Sequence, residues 1–451
     1  MPNSPRRPQG RKPTPNRKPN SPKPASRDNR LPTKPVAPPT APITLDITGM
    51  VYGGYGVAQH RGQPLYVPYT IEGEKITARV LPMTTNTVFA EPVTLLNASQ
   101  DRIYPECEHF GVCWGCQWQH ITYDAQLLIK FDVVAEQLQR HGHFSDALLG
   151  RVLQPVIPCA DLWNYNYQAT FYRLPNGKFG FPKRENGFTP INLCWVIHED
   201  LQELYESLDV DFEHIKSYSL YRGSEGETMM VLHMLNEDLP EMEADLPTSV
   251  NVLLTDREPL NLFGDSLVRY NVNGRWLRMT AGSFFRANVG QVSALVSEVL
   301  HGLALTGSEH VMDLYAGVGT FSAFIADHAE VVTVVESYPP AATDADENLA
   351  EFENVDVVEG SVLEVLESML EDNAHYDAVV LDPPSRGIGN DEMTALLKLA
   401  PQRIVYVSSN PASLGRDGLT LTEAGYTLER IQPVDVAPHT YYADMVATFK
   451  R

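Results

Sequence analysis

The apolar positions follow different spacings in different parts of the chain. From Ile43 to Ser99 they fall in short runs, ITLDIT, LYVPYT, KITARVL and FAEPVTLL, separated by turns at Gly53-Gly54-Tyr55-Gly56 and Glu72-Gly73-Glu74. Several short strands at this spacing predict a small β-barrel over 43–98. Over 99–275 the pattern is mixed. Leu127, Phe131, Val134 and Leu138 share one face of a predicted helix at Tyr123–Arg140, and Leu174-Pro175-Asn176-Gly177 joins ATFYR to KFGF as a predicted hairpin. This segment reads as a central α/β domain. Over 276–451 helix and strand alternate. Val292, Leu295, Val296, Val299, Leu300 and Leu303 form one stripe of a helix over 287–304, and HVMDLY, EVVTVVE, YDAVVLD and RIVYVSS are compact apolar strands. Strands alternating with helices predict a parallel, doubly wound sheet of the Rossmann-like α/β class.

Residues 1–42 hold 13 of the 34 prolines and almost no large apolar side chains. A segment of that composition cannot bury a core, and it is expected to be a disordered basic tail.

Length changes this picture little: 451 residues suit two or three domains. Charge changes it more. Residues 1–35 carry ten Lys or Arg and one acid, leaving 25 bases against 56 acids, a net of −31, in the rest. So acidic a body repels polyanions at long range, which disfavours indiscriminate nucleic-acid binding. The tail can supply phosphate contacts and counterion release, or serve only as a solubilising spacer. No run of eighteen apolar residues occurs, so no membrane span is expected. No apolar segment follows the basic N-terminus, so it does not read as a secretory signal, and a cytoplasmic protein is expected.

Candidate chemistry lies at the ends of the C-terminal strands. HVMDLY, which carries Asp313, runs into Ala316-Gly317-Val318-Gly319, a turn that lets backbone approach a ligand. The next strand ends in Glu336, an acid able to accept hydrogen bonds from two ribose hydroxyls, and a later one ends at Asp382-Pro383-Pro384. Three such elements in this order favour a methyltransferase over a dehydrogenase. The five cysteines are Cys107, Cys113, Cys116, Cys159 and Cys194. Three of them are clustered with spacing C-x5-C-x2-C, which in a cytoplasmic chain favours a metal or cluster over disulfides. On spacing alone both zinc and an iron–sulfur cluster remain open.

Several stretches together carry a family resemblance. GGYGVAQHRGQPLYVPYTIEGEKITARV resembles a TRAM domain, an OB-like RNA-binding barrel. GSFFRAN, DLYAGVGTFS, VVESYPPAATDADENL, LDPPSRG, RIVYVSSNPASLGRD and PHTYYADMV resemble the S-adenosylmethionine-dependent RNA uracil-C5 methyltransferases, which modify tRNA or 23S rRNA. The resemblance spans roughly residues 43–451. It implies S-adenosylmethionine binding at Arg286, Tyr315, Gly317, Gly319, Glu336 and Asp382, RNA as partner, and RNA lying across a groove between the domains. A monomer is expected. It also implies a [4Fe–4S] cluster on Cys107, Cys113, Cys116 and Cys194, with zinc the competing occupant. Cys159 is left over and is expected to be a buried apolar residue.

The chain departs from the family at the reacting positions. The family's nucleophilic cysteine, which adds to C6 of uracil, aligns with Ser409, and no cysteine follows Cys194. A serine hydroxyl is a far poorer nucleophile without a dedicated base. The family's glutamate base aligns with Asp444, which His439 is expected to help arrange. A cofactor-contacting glutamine aligns with Arg286, an acid near the adenine with Ser361, and the cysteine before the glycine turn with Ala316. The RNA-facing, arginine-rich stretch of the central domain reads WNYNYQATF at Trp163–Phe171, without a base. Three functions follow as expectations: an RNA methyltransferase, a catalytically impaired RNA-binding relative, or a methyltransferase with a different acceptor atom.

Overall fold

The computed structural model describes residues 41–82, 87–208, 214–240, 248–254 and 259–451, all within one unit. The tail expected over 1–42 lies outside these residues except for its last two positions. Strands β1 (Ile43–Val51), β2 (Tyr55–His60), β3 (Gln63–Pro68), β4 (Lys75–Val80) and β5 (Val88–Asn97) close a barrel in the order β1-β2-β3-β5-β4. Alternate residues point inward, so Leu45, Ile47, Ala58, Leu65, Val67, Ile76, Ala78 and Ala90 make one core. The apolar runs did not mark β2, whose inward residues are small. A Cβ at Gly56 would stand 2.2 Å from Thr70 Oγ1, so this wall admits nothing larger.

Two helices follow, α1 (Tyr123–Gly142) and α2 (Asp146–Val152). The next sheet contains β6 (Gln168–Arg173), β7 (Phe179–Pro182), β8 (Phe188–Pro190), β9 (Ile215–Arg222), β10 (Thr228–Met234), β11 (Ser249–Leu253) and β12 (Leu260–Phe263), with α3 (Glu199–Ser207) packed on it. Its order is β12-β11-β10-β9-β6-β7-β8. The expected hairpin joins β6 to β7: Leu174 N–H donates to Lys178 O at 2.7 Å, and Gly177 takes the positive φ of 83° that the turn needs.

A hairpin, β13 (Leu267–Val272) and β14 (Arg275–Thr280), leads into α4 (Val289–Leu303). The last sheet is built from β15 (His310–Leu314), α5 (Ser322–Ile325), β16 (Val331–Glu336), α6 (Pro339–Leu349), β17 (Val355–Glu359), α7 (Val362–Glu371), β18 (Ala378–Leu381), α8 (Asn390–Leu399), β19 (Arg403–Ser408), α9 (Pro411–Glu423), β20 (Thr427–Val434) and β21 (Asp444–Lys450). Its order is β17-β16-β15-β18-β19-β21-β20. The expected parallel arrangement holds from β17 to β19. It fails at the far edge, where β21 runs antiparallel to both β19 and β20. The loop after β20 carries no crossover helix, so the chain returns as a hairpin strand instead of a parallel one. Strand order reverses between β15 and β18, and the carboxyl ends of β15, β16, β18 and β19 meet there, where open α/β sheets bind ligands. Among the described residues no helix is long and apolar enough to cross a membrane.

Candidate active site and cysteine pocket

The turn after β15 carries backbone strain. Tyr315 adopts φ 61°, the left-handed region that a bulky side chain rarely enters, followed by Gly317 at 57° and Gly319 at 79°. A Cβ added at Gly317 would find only Phe284 O, at 3.9 Å, so this backbone faces open space. A Cβ at Gly319 would press on Leu349 at 3.0 Å, so this glycine serves close packing on α6. Glu336, at the end of β16, accepts the Gly317 N–H at 2.9 Å through one oxygen and the Ser337 and Tyr338 N–H groups at 2.7 Å through the other. Asp313 does not face the pocket. It is fully buried on β15 and accepts the Ser322 hydroxyl at 2.6 Å, while its second oxygen has no partner among the described residues. Burial lifts its carboxyl to about 7 against the lowering effect of Ser322, and Asp382 and Glu336 add to the rise.

The segment before α4 is pinned from both sides. Asp344 on α6 accepts from Thr280 and Ser283, and Asn288 donates to Val436 O and Cys159 Sγ. This presents Arg286 inward. Its Nη1 and Nη2 donate to the two oxygens of Asp382 at 2.9 and 3.0 Å, its Nε donates to Asp444 at 2.8 Å, and the guanidinium lies 5.5 Å over the Phe321 ring. Burial opposes the charge on Arg286, but Asp382 and then Asp444 more than offset it, so the group is held charged. Burial likewise raises the Asp382 carboxyl, and Arg286 draws it back down. Phe285, Arg286, Tyr315, Gly317, Phe321 and Asp382 line one cleft, with Phe284 at its rim, 65% exposed.

Ser409 follows β19. Ser408 pairs with Met445, so Ser409 and Asp444 stand at the same end of adjacent strands. Ser409 is exposed, and no group among the described residues hydrogen-bonds its hydroxyl. Asn410 shapes the turn: its side-chain Oδ1 caps α9 by accepting the Ala412 N–H at 3.0 Å, and its side-chain Nδ2 donates to Ser385 O beside Asp382-Pro383-Pro384. Ser361 caps α7, accepting from Glu364 N–H and donating to its carboxylate at 2.7 Å.

His439 lies on the loop between β20 and β21. Its ring meets Gln126 Nε2 at 3.2 Å through Nδ1 and stacks on Trp163 at 3.9 Å between centroids; no contact to Asp444 is made. Burial lowers its pKa to about 4, partly offset by Asp435. The loop that carries it is anchored by a fully buried ion pair, Lys130 with Asp435, in which the ammonium also donates to Ala437 O and Tyr442 O. Sequence reasoning missed Lys130, Gln126 and Asp435. The available signal was polar residues at i and i+4 on an otherwise apolar helix face.

Cys107, Cys113, Cys116 and Cys194 line one cavity of about 240 Å³. Amide N–H groups point at three of the sulfurs: His109 and Phe110 at Cys107, Gly115 at Cys113, Val196 and Ile197 at Cys194. Burial raises all four thiols, Cys194 to about 11. Among the described residues, no three His, Cys, Asp or Glu side chains are gathered tightly enough to hold a single metal ion. Cys159 is buried elsewhere, as expected, against Asn288.

Comparison with known proteins places this geometry. The family model described as conserved hypothetical protein 95 matches residues 270–418. The uncharacterized RNA methyltransferase of Halalkalibacterium halodurans is 29% identical over 90% of this chain and 96% of its own. The uncharacterized RNA methyltransferase of Listeria monocytogenes serotype 4b is 30% identical over the same shares. Among solved structures, the tRNA (uracil-54, C5)-methyltransferase of Pyrococcus abyssi in complex with S-adenosyl-L-homocysteine shares the fold. Its TM-score is 0.67 at 22% identity, over 90% of this chain and 100% of that one. With the closed barrel, the glycine turn and the strand-end acids in one chain, and relatives matched along nearly their whole length, this protein belongs to the RNA methyltransferase family.

Proposed function

We propose that this chain transfers the methyl group of S-adenosylmethionine to C5 of a uracil in RNA, rRNA or tRNA, as a cytoplasmic monomer. The observation that carries this reading is one cleft lined by Arg286, Tyr315, Gly317 and Asp382, with Glu336 accepting the Gly317 N–H and with Ser409 and Asp444 at adjoining strand ends. The cleft suits the cofactor: the Gly317 backbone is open, and Glu336 is an acid at the strand end where ribose hydroxyls bind. When bound, the cofactor supplies an activated methyl group on a sulfonium. Arg286, Tyr315 and Asp382 complete its cradle, and Gly319 contributes by packing the turn against α6. Ser409 stands where a nucleophile adds to C6 of the base, and Asp444 where a base removes the C5 proton.

The four cysteines fit a [4Fe–4S] cluster better than zinc. They line one common cavity without gathering tightly round a single point, whereas zinc requires thiolates converging at about 2.3 Å from one point. The N–H groups aimed at the sulfurs suit thiolate ligands. Bound there, the cluster would cross-link the Cys107–Cys116 loop to Cys194.

One observation favours a second reading, an RNA-binding relative with little transfer. Among the described residues Ser409 has no partner to take its proton, and Asp444 is already engaged by Arg286. Nucleoside analysis of RNA from cells with and without the gene separates the two. The proposed function predicts that deletion removes 5-methyluridine at one or a few sites and that the gene restores it. Unchanged 5-methyluridine favours the second reading, and loss of a different methylated nucleoside favours another acceptor atom.

A further inference from the structure

The cysteine pocket and the loop that ends in Asp444 share a wall. Immediately after Cys116, the Gln117 and Trp118 N–H groups both donate to His439 O, at 3.0 and 2.8 Å. Beside Cys194, Trp195 meets Trp163 edge-on at 6.3 Å, and Trp163 stacks on the His439 ring. Tyr165, packed among Cys116, Cys194 and Val196, donates its hydroxyl to Pro438 O at 2.9 Å. Three connections therefore leave the cysteines by different routes and end on Pro438 and His439. On the far side Gln126 holds the His439 N–H at 2.8 Å, and His439 itself sits at φ 67°, a conformation its surroundings must impose. Five residues further on, β21 begins with Asp444.

We propose that the cysteine pocket positions Asp444 through His439, so that whatever the four thiols hold is also a determinant of catalytic-loop geometry. His439 is a positioning residue. It touches neither Asp444 nor the cleft, and it transmits the spacing of the two cysteine segments to the loop. Coupling of this kind is reciprocal. The inference rests on the cluster reading above only for the identity of the occupant; the contacts themselves belong to the protein.

Hydrogen exchange of residues 437–444 in the full chain tests it, with iron and sulfide measured on the same anaerobic sample. Stripping the cluster with a chelator is expected to speed exchange in 437–444 by about tenfold or more while β15 and β18 stay protected. Trp163→Ala is expected to reproduce the effect without stripping, and Trp163→Phe, which keeps a stacking ring, to preserve the parent protection. Unchanged protection of 437–444 after stripping and in Trp163→Ala overturns the proposal, as does a rise spread evenly over the chain. A sample without iron or sulfide overturns the cluster assignment alone; Trp163→Ala against Trp163→Phe then decides the coupling.

Discussion

Arg286 Nε lies 2.8 Å from the Asp444 carboxylate, and the same guanidinium grips both oxygens of Asp382. One cation thus holds the acid at the end of β18 and the acid that opens β21. The family resemblance places a neutral glutamine at this position. With arginine, the cleft gains a positive charge where a sulfonium would approach, and the two carboxylates offset it.

Replacing that cation tests the arrangement. Arg286→Gln leaves two partly buried carboxylates facing each other, and loss of one partner from such a pair costs about 3–5 kcal/mol. Adding Asp444→Asn relieves the repulsion. The double variant is therefore expected to lose at least about 1 kcal/mol less than the sum of the single changes in urea unfolding. Simple additivity would show that the three groups act independently.

Glu336 accepts three backbone N–H groups and shapes the turn of the proposed cofactor cleft. Hydrogen bonds to a charged acceptor contribute about 1.5–3 kcal/mol, so Glu336→Gln is expected to weaken S-adenosylmethionine binding by about tenfold or more in calorimetry. An unchanged affinity would remove Glu336 from the cofactor site.

Asp313 gives a pH-dependent prediction. Its folded pKa is raised to about 7 from 3.8. Between these values the folded state holds the proton more tightly than the unfolded state. Stability from this group is therefore full below about pH 4 and is lost as pH rises through about 7. Asp313→Asn removes the penalty while keeping a group of similar shape. Its melting temperature relative to the parent is expected to rise between pH 5 and pH 8 and then level off. A difference that does not change with pH would contradict the assignment.

Much of this architecture was legible along the chain because local pattern and tertiary role agree. The stripe Val292, Leu295, Val296, Val299 and Leu303 is the buried face of α4, and the compact apolar runs are β15, β16, β18 and β19. The strand-end positions of the glycine turn, Glu336 and Asp382 could be read because each closes a compact apolar run. What escaped depends on contacts between distant segments. The antiparallel edge is set by β21 inserting between β19 and β20, which no local period encodes. The Arg286 bridge joins residues 96 and 158 positions apart. Lys130 carries no sequence signal that names its partner, Asp435, which is 305 positions away and against which it is fully buried.

That buried pair yields a further prediction. Lys130→Ala leaves Asp435 uncompensated and frees the carbonyls of Ala437 and Tyr442, so a loss of about 3–5 kcal/mol is expected in chemical denaturation. Because the pair anchors the loop before β21, exchange protection at 437–444 is expected to fall with it. A loss under about 1 kcal/mol would mean that the pair contributes little beyond its own desolvation.

The most direct measurement is transfer of labelled methyl from S-adenosylmethionine to unmodified total RNA, with Ser409→Cys beside the parent and both proteins carrying iron and sulfide. A thiolate forms far more readily than an alkoxide. The account predicts label in 5-methyluridine, slow with the parent and at least about tenfold faster with Ser409→Cys. Folded, cofactor-binding protein that labels RNA with neither serine nor cysteine at this position would contradict it.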